Sequence, residues 1–233
     1  MRVISLCMVG ALVLTTANLS AESGRQESID RLNMASETLT AMINTPDKGI
    51  PEEVLSKSKC IVVVPHLVKG GFVVGAEHGR GVATCRTPEG WTAPAFVSIG
   101  GGSWGLQIGV EGVDLVMLVM NDHGLQHMLS SKFKIGADAS ASAGPVGRHA
   151  SAGTDWKMES EILTYSRSKG IFAGISLDGA VVEQDKDSTR AIYGHDTSFR
   201  STLAGNVRAP ESTRAFIRAV TSAARTSAVA EAK

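Results

Sequence analysis

The chain lacks most of the features that announce a chemistry. It has three cysteines, Cys7, Cys60 and Cys85, and no C-x-x-C pair, so thioredoxin-like and zinc-ribbon signatures are absent. Charge of one sign is not in excess. Lys and Arg number 23 against 23 Asp and Glu, and bulk electrostatics gives no reason to expect nucleic acid. Beyond Ala21 no uninterrupted apolar run reaches the ~18 residues that a membrane helix requires. Strand patterns do not alternate with helical ones, which argues against a parallel α/β sheet, and no fixed-period repeat is present.

The first residues read as an export signal. Arg2 gives a positive start, Val3 to Ala17 is apolar, and Leu19-Ser20-Ala21 supplies small residues before a cut, placing the mature start at Glu22. Residues 1–21 are thus expected to be a signal peptide and 22–233 one domain. An exported protein, periplasmic in a two-membrane bacterium, is the expected product. Cys60 and Cys85 then remain. They bracket an expected strand hairpin, and an oxidising compartment permits a bridge worth about 3 kcal/mol. A Cys60–Cys85 disulfide and two separate buried thiols both fit the sequence.

The middle of the chain is rich in glycine and alternates with period two. Leu106, Ile108 and Val110 fall on one face, and Gln107, Gly109 and Glu111 on the other. Strands are expected at Ile61 to Val64 (ended by Pro65), at Phe72 to Ala76 and Val82 to Cys85 around a turn at Gly79 and Gly81, and at Ala93 to Ile99. Gly105 to Glu111, Val113 to Met120 and Ala137 to Ala143 follow. Ile171 to Leu177 and Ala180 to Glu183 read as a hairpin, because Asp178-Gly179 suits a type I′ turn. Helices are expected at Ser28 to Ile43, Pro51 to Ser58, His123 to Ser131 and Pro210 to Arg225. The fold class is α+β: an antiparallel β-barrel or sandwich of about ten short strands with helices at the N- and C-terminal ends.

Two famous strings occur inside this strand pattern. Gly100, Gly102 and Gly105 satisfy G-x-G-x-x-G, but a dinucleotide site needs a helix to open at the last glycine. Gly101, Ser103 and Gly105 satisfy G-x-S-x-G, but a hydrolase elbow needs a strand-to-helix turn. A serine hydrolase using Ser103 is kept as the alternative, with no catalytic residue or cofactor expected on the favoured reading. His123 and His127 stand i, i+4 without the Glu of H-E-x-x-H or an evident third ligand, so an exposed pair and no metal is expected. Asp114 interrupts an apolar strand and reads as an acceptor for a nearby turn. Lys69, Arg148, Arg167 and Lys169 lie in or beside Gly- and Ser-rich turns, where backbone amides and cations can meet on a phosphate. Arg214, Phe216, Arg218 and Arg225 form a basic amphipathic helix that suits an anionic bilayer.

Several blocks together carry a resemblance: Lys59-Cys60-Ile61 to Pro65, Lys69-Gly70-Gly71-Phe72, Gly90-Trp91-Thr92-Ala93-Pro94 and Gly105-Leu106-Gln107-Ile108-Gly109. Val113-Asp114-Leu115-Val116, Phe133 to Asp138, Gly144-Pro145-Val146-Gly147-Arg148 and the run from Ser166 to Gly179 continue it, and Tyr193-Gly194 closes it. In this order they resemble the SYLF family over about Ile29 to Gly194, leaving 195–233 as a helical extension. The resemblance implies a non-enzymatic phospholipid-binding module. Eukaryotic relatives bind phosphoinositides, and some act with actin beside SH3 or FYVE modules. For an exported chain, actin is an unexpected partner. An anionic phospholipid head group or acyl chain, or a protein scaffold role in the envelope, remains.

Overall fold

A computed structural model describes residues 3–46, 49–71, 74–104, 109–146, 160–172, 175 and 177–230. Six α-helices are found among them. Helix α1 (Val3–Ile43) begins well before the expected Ser28, and α2 (Glu52–Lys57), α3 (Asp122–Leu129), α4 (Lys186–Tyr193), α5 (Phe199–Leu203) and α6 (Arg214–Ala230) follow. Among the described residues, no helix is long and apolar enough to cross a membrane. The strands are β1 (Cys60–Gly71), β2 (Val74–Thr87), β3 (Gly90–Trp91), β4 (Ala95–Trp104), β5 (Gly109–Val119), β6 (Lys132–Lys134), β7 (Ala141–Ala143), β8 (Ile162–Ser168), β9 (Ile171–Phe172) and β10 (Val181–Gln184).

These form a single ten-stranded sheet in the order β6-β10-β4-β2-β1-β5-β8-β7, with β3 on β2 and β9 on β8. Among the described residues the named strands pair antiparallel except β7 on β8. The sheet must curl. Its edge strands β6 and β7 are joined by residues 135–140, a link that spans at most about 25 Å, whereas eight strands laid flat would separate those edges by about 34 Å. The result is a half-barrel of ten strands with helices at both ends, within the expected α+β class that had left barrel and sandwich open.

Both faces of the sheet are covered, so the central strands are apolar on every side. On the first face Ile61, Val63, Phe96, Val116, Leu118 and Tyr165 meet α1, α2, α4 and α6 through residues such as Leu39, Leu55, Ile192 and Phe216. On the second face Val62, Val64, Leu67, Ile99, Leu115 and Met117 meet α3 and α5 through Met128, Phe199 and Leu203.

Three local expectations are corrected. Pro65 does not end β1. The register slips between Val64 and Leu67, with His66 at φ 53°, so the residue that cannot donate to a ladder sits in a bulge and the strand continues. Gly79 and Gly81 do not make a turn; they lie inside β2, against that bulge. A Cβ on Gly81 would stand 2.3 Å from the Val63 carbonyl oxygen, so glycine there lets the two backbones close up. Finally, Asp178-Gly179 does turn, with Gly179 at φ 91°, but β10 then pairs with β4 and β6. The two-residue positive-φ turn belongs to Lys169 (φ 48°) and Gly170 (φ 82°), joining β8 to β9. A turn residue fixes the local bend, while burial between two neighbouring strands chose the partner of β10. Of the small-residue stretch from Ala137, only Ala141–Ala143 is a strand.

Candidate binding site

The two ends of the half-barrel differ chemically. At one end Cys60 and Cys85 are directly opposed across β1 and β2 and joined by a disulfide, with Val119 on the other side of Cys60. At the other end stand Gly70 and Gly71 of β1, Gly109 and Val110 of β5 and the Lys169-Gly170 turn. Large aliphatic side chains are exposed there: Val110 at 81 %, Ile171 at 68 % and Val68 at 47 %. Val68 pairs with Gly112 and Val110 with Gly70, so the two valines are diagonal neighbours on one face. Val146 is exposed beyond β7, which runs parallel to β8 toward the same end.

The three turn cations among the described residues do not converge. Lys69 is buried on the second face and pairs with Glu77 at 3.0 Å, and its β5 neighbour is Glu111. A lysine flanked by two carboxylates has its charge answered already. Arg167 lies on the first face, where it donates to Asp114 at 3.2 Å. Lys169 is exposed at the tip of the β8–β9 turn. Arg148 lies outside the described residues. Lys69 and Arg167 therefore face opposite sides of the sheet, separated by β5, because alternation along paired strands sends them there.

Asp114 accepts from the backbone N–H of His66 at 3.3 Å, so it holds the β1 bulge as well as Arg167. The terminal helix is corrected too. Phe216 is fully buried with Val220, so the apolar face of α6 is covered by α1 and α2 and cannot meet a bilayer. Burying a Phe side chain is worth about 2 kcal/mol, which decides where that face goes. Arg214 and Arg218 face outward, Arg214 pairing with Glu211. The side chain of Arg225 lies outside the described ones.

Ser103 stands in β4, paired with Gly75, and Gly100 and Gly102 stand in the same strand. Trp104 continues the strand beside Val74, so among the described residues Ser103 does not sit at the strand-to-helix elbow a hydrolase needs. Gly105, the last glycine of both strings, lies outside the described residues.

Two clusters depend on residues far apart in the chain, and of their members the sequence alone singles out only His123 and His127. Arg31 of α1 reaches Asp185 at 3.0 Å and Glu27 at 2.9 Å, and Arg80 of β2 adds a second contact to Asp185 at 3.2 Å. Burial pushes the Arg31 guanidinium pKa down, and Arg80 adds to that, against the carboxylates. Asp185 also caps α4 through the Ser188 N–H. The second cluster is His123, His127 and Glu161. His123 Nδ1 lies 2.5 Å from Glu161 Oε1, and His127 Nε2 lies 3.9 Å from Oε2. The histidine pair thus has a third polar partner, supplied by the residue before β8.

Taken together, the described residues form a half-barrel sheet covered on both faces, with exposed aliphatic side chains and Lys169 at one end. A family model described as Las17-binding protein actin regulator, Ysc84, matches residues 100–223. SH3 domain-containing YSC84-like protein 1 of Rattus norvegicus is 34% identical over 169 residues, covering 72% of this chain and 49% of that protein. The Homo sapiens protein of the same name is 32% identical over the same shares, and Protein YSC84 of Saccharomyces cerevisiae is 30% identical over 76% of this chain and 39% of its own length. The chain belongs to the Ysc84, or SYLF, domain family. It spans about half the length of the mammalian relatives it matches, and less of the yeast one.

Proposed function

We propose that this chain is a non-enzymatic module that binds anionic phospholipid membranes through the tip of its half-barrel. The observation that carries this reading is the exposure of Val68, Val110 and Ile171 beside the cationic Lys169 turn. Aliphatic side chains gain by entering the acyl boundary, and a nearby lysine gains from anionic head groups. On this reading Lys169 is an exposed cation at the tip and Arg167, tied to Asp114, stands behind it. We further propose that the protein lies outside the cytoplasm. The leader pattern of residues 1–21 supports this, as does the disulfide, since such bonds persist in oxidising compartments.

Flotation with anionic and neutral vesicles tests the reading. Binding is expected for anionic vesicles and should weaken with salt. Val110→Asp with Ile171→Asp should weaken it about tenfold, the loss of roughly 1.4 kcal/mol of apolar transfer. Both residues are exposed, so the fold should survive. Lys169→Asn removes the charge while keeping a residue that tolerates positive φ, and should also weaken binding. Failure to float with either vesicle, together with pelleting on filamentous actin, would favour the activity in the family description over this one.

A further inference from the structure

We propose that His123, His127 and Glu161 form a site for one divalent transition-metal ion of the zinc class, tying α3 to the start of β8. The inference is independent of the lipid reading, because the site lies at the disulfide end, away from the tip.

The donor atoms lie within 4.8 Å of one another. Helical spacing puts both imidazoles on one side of α3, with ring centroids 4.8 Å apart and planes at 88°. The Glu161 carboxylate is held in place, since its Oε2 accepts from the Ser140 N–H at 3.3 Å and its own N–H donates to Ser140 Oγ at 3.1 Å. The independent observation is His127 Nε2. It is buried and has no hydrogen-bond partner. It faces Glu161 Oε2 at 3.9 Å, too far for a hydrogen bond. That separation is wider than the ~3.3 Å between two ligands of a tetrahedral ion, so His127 Nε2 and the carboxylate must close slightly to share one. An ion would replace the 2.5 Å hydrogen bond between His123 Nδ1 and Glu161 Oε1, and small side-chain rotations would bring the three donors to that spacing with the remaining position open to water. Two imidazoles and a carboxylate suit Zn²⁺ or Co²⁺ over Mg²⁺ or Ca²⁺, which prefer oxygen alone.

The test uses untagged full-length protein, stripped with chelator. Zn²⁺ uptake is read by calorimetry and Co²⁺ by its visible ligand-field absorption. One ion per chain is expected, with a rise in melting temperature. His127→Ala and Glu161→Gln should each weaken binding about tenfold or more, and His195→Ala, an exposed histidine outside the cluster, should not. Should His127→Ala fail to fold, His123→Ala, at an exposed position, carries the same expectation. No uptake with ion in excess would overturn the proposal. So would binding that survives the cluster substitutions, or that falls equally with His195→Ala.

Discussion

At the scale of single residues, the two tyrosines are the most informative reporters. Tyr165 and Tyr193 are the only tyrosines in the chain. Both are buried deeply enough that desolvation pushes each phenol pKa well above its ordinary value near 10. Tyr193 donates to the Pro94 carbonyl at 2.6 Å, which joins the end of α4 to the start of β4. A raised folded-state pKa means that the native chain keeps protons which the unfolded chain releases. Stability from this source is complete below about pH 10 and is lost as pH rises above it. Tyrosinate absorbance should therefore stay absent until the helical signal collapses, and the two should appear in one transition. A tyrosinate signal developing in a still-folded chain would show that a phenol is wetter than this packing allows.

At the scale of elements, the buried ion cluster decides how α1 seats on the sheet. Arg31 is nearly inaccessible, and its guanidinium stands 5.9 Å from the Phe96 ring centroid as well as on Asp185. Arg31→Met keeps most of the packing volume but leaves Asp185 buried with Arg80 as its remaining cation. Breaking a buried pair from one side costs about 3 kcal/mol, and Arg80 sets that as an upper figure. Denaturant unfolding measures it, and a change near zero would show that the cluster is solvated. The sequence announced none of this, because Arg31 and Asp185 are 154 residues apart. The apolar run from Val113 to Met120, α3 and the apolar face of α6 were legible, since each depends on neighbours along the chain; Leu106, Gln107 and Ile108 of the expected strand from Gly105 lie outside the described residues. Which strands paired was less so. Asp178-Gly179 and Lys169-Gly170 both turn, and only burial in the finished sheet separates the hairpin from the simple bend. Lys69 shows the same limit at the candidate site. Its glycine-rich setting was readable, but Glu77 and Glu111 become its neighbours through strand register alone.

At the scale of the whole molecule, the geometry forces a choice between two membrane contacts that the sequence left compatible. Helix α6 packs on α1, α2 and β3, and β3 pairs with Arg86 and Thr87 next to Cys85. The outward arginines of α6 are therefore associated with the disulfide end, whereas Val68, Val110 and Lys169 mark the other. A flat bilayer touches one end of a half-barrel, not both. The tip has exposed apolar side chains to insert, while α6 has turned its own inward, so the tip should be the end that binds. Hydrogen exchange can read this along single strands. Without vesicles, amides of Cys60–Val64 and Leu115–Val119, covered on both faces, should exchange most slowly, and those of Val68–Gly71 and Gly109–Gly112 faster. Anionic vesicles should slow the second group and leave Arg214–Val220 unchanged. Protection confined to Arg214–Val220 would move the contact to the disulfide end and remove the role assigned to Val110 and Ile171.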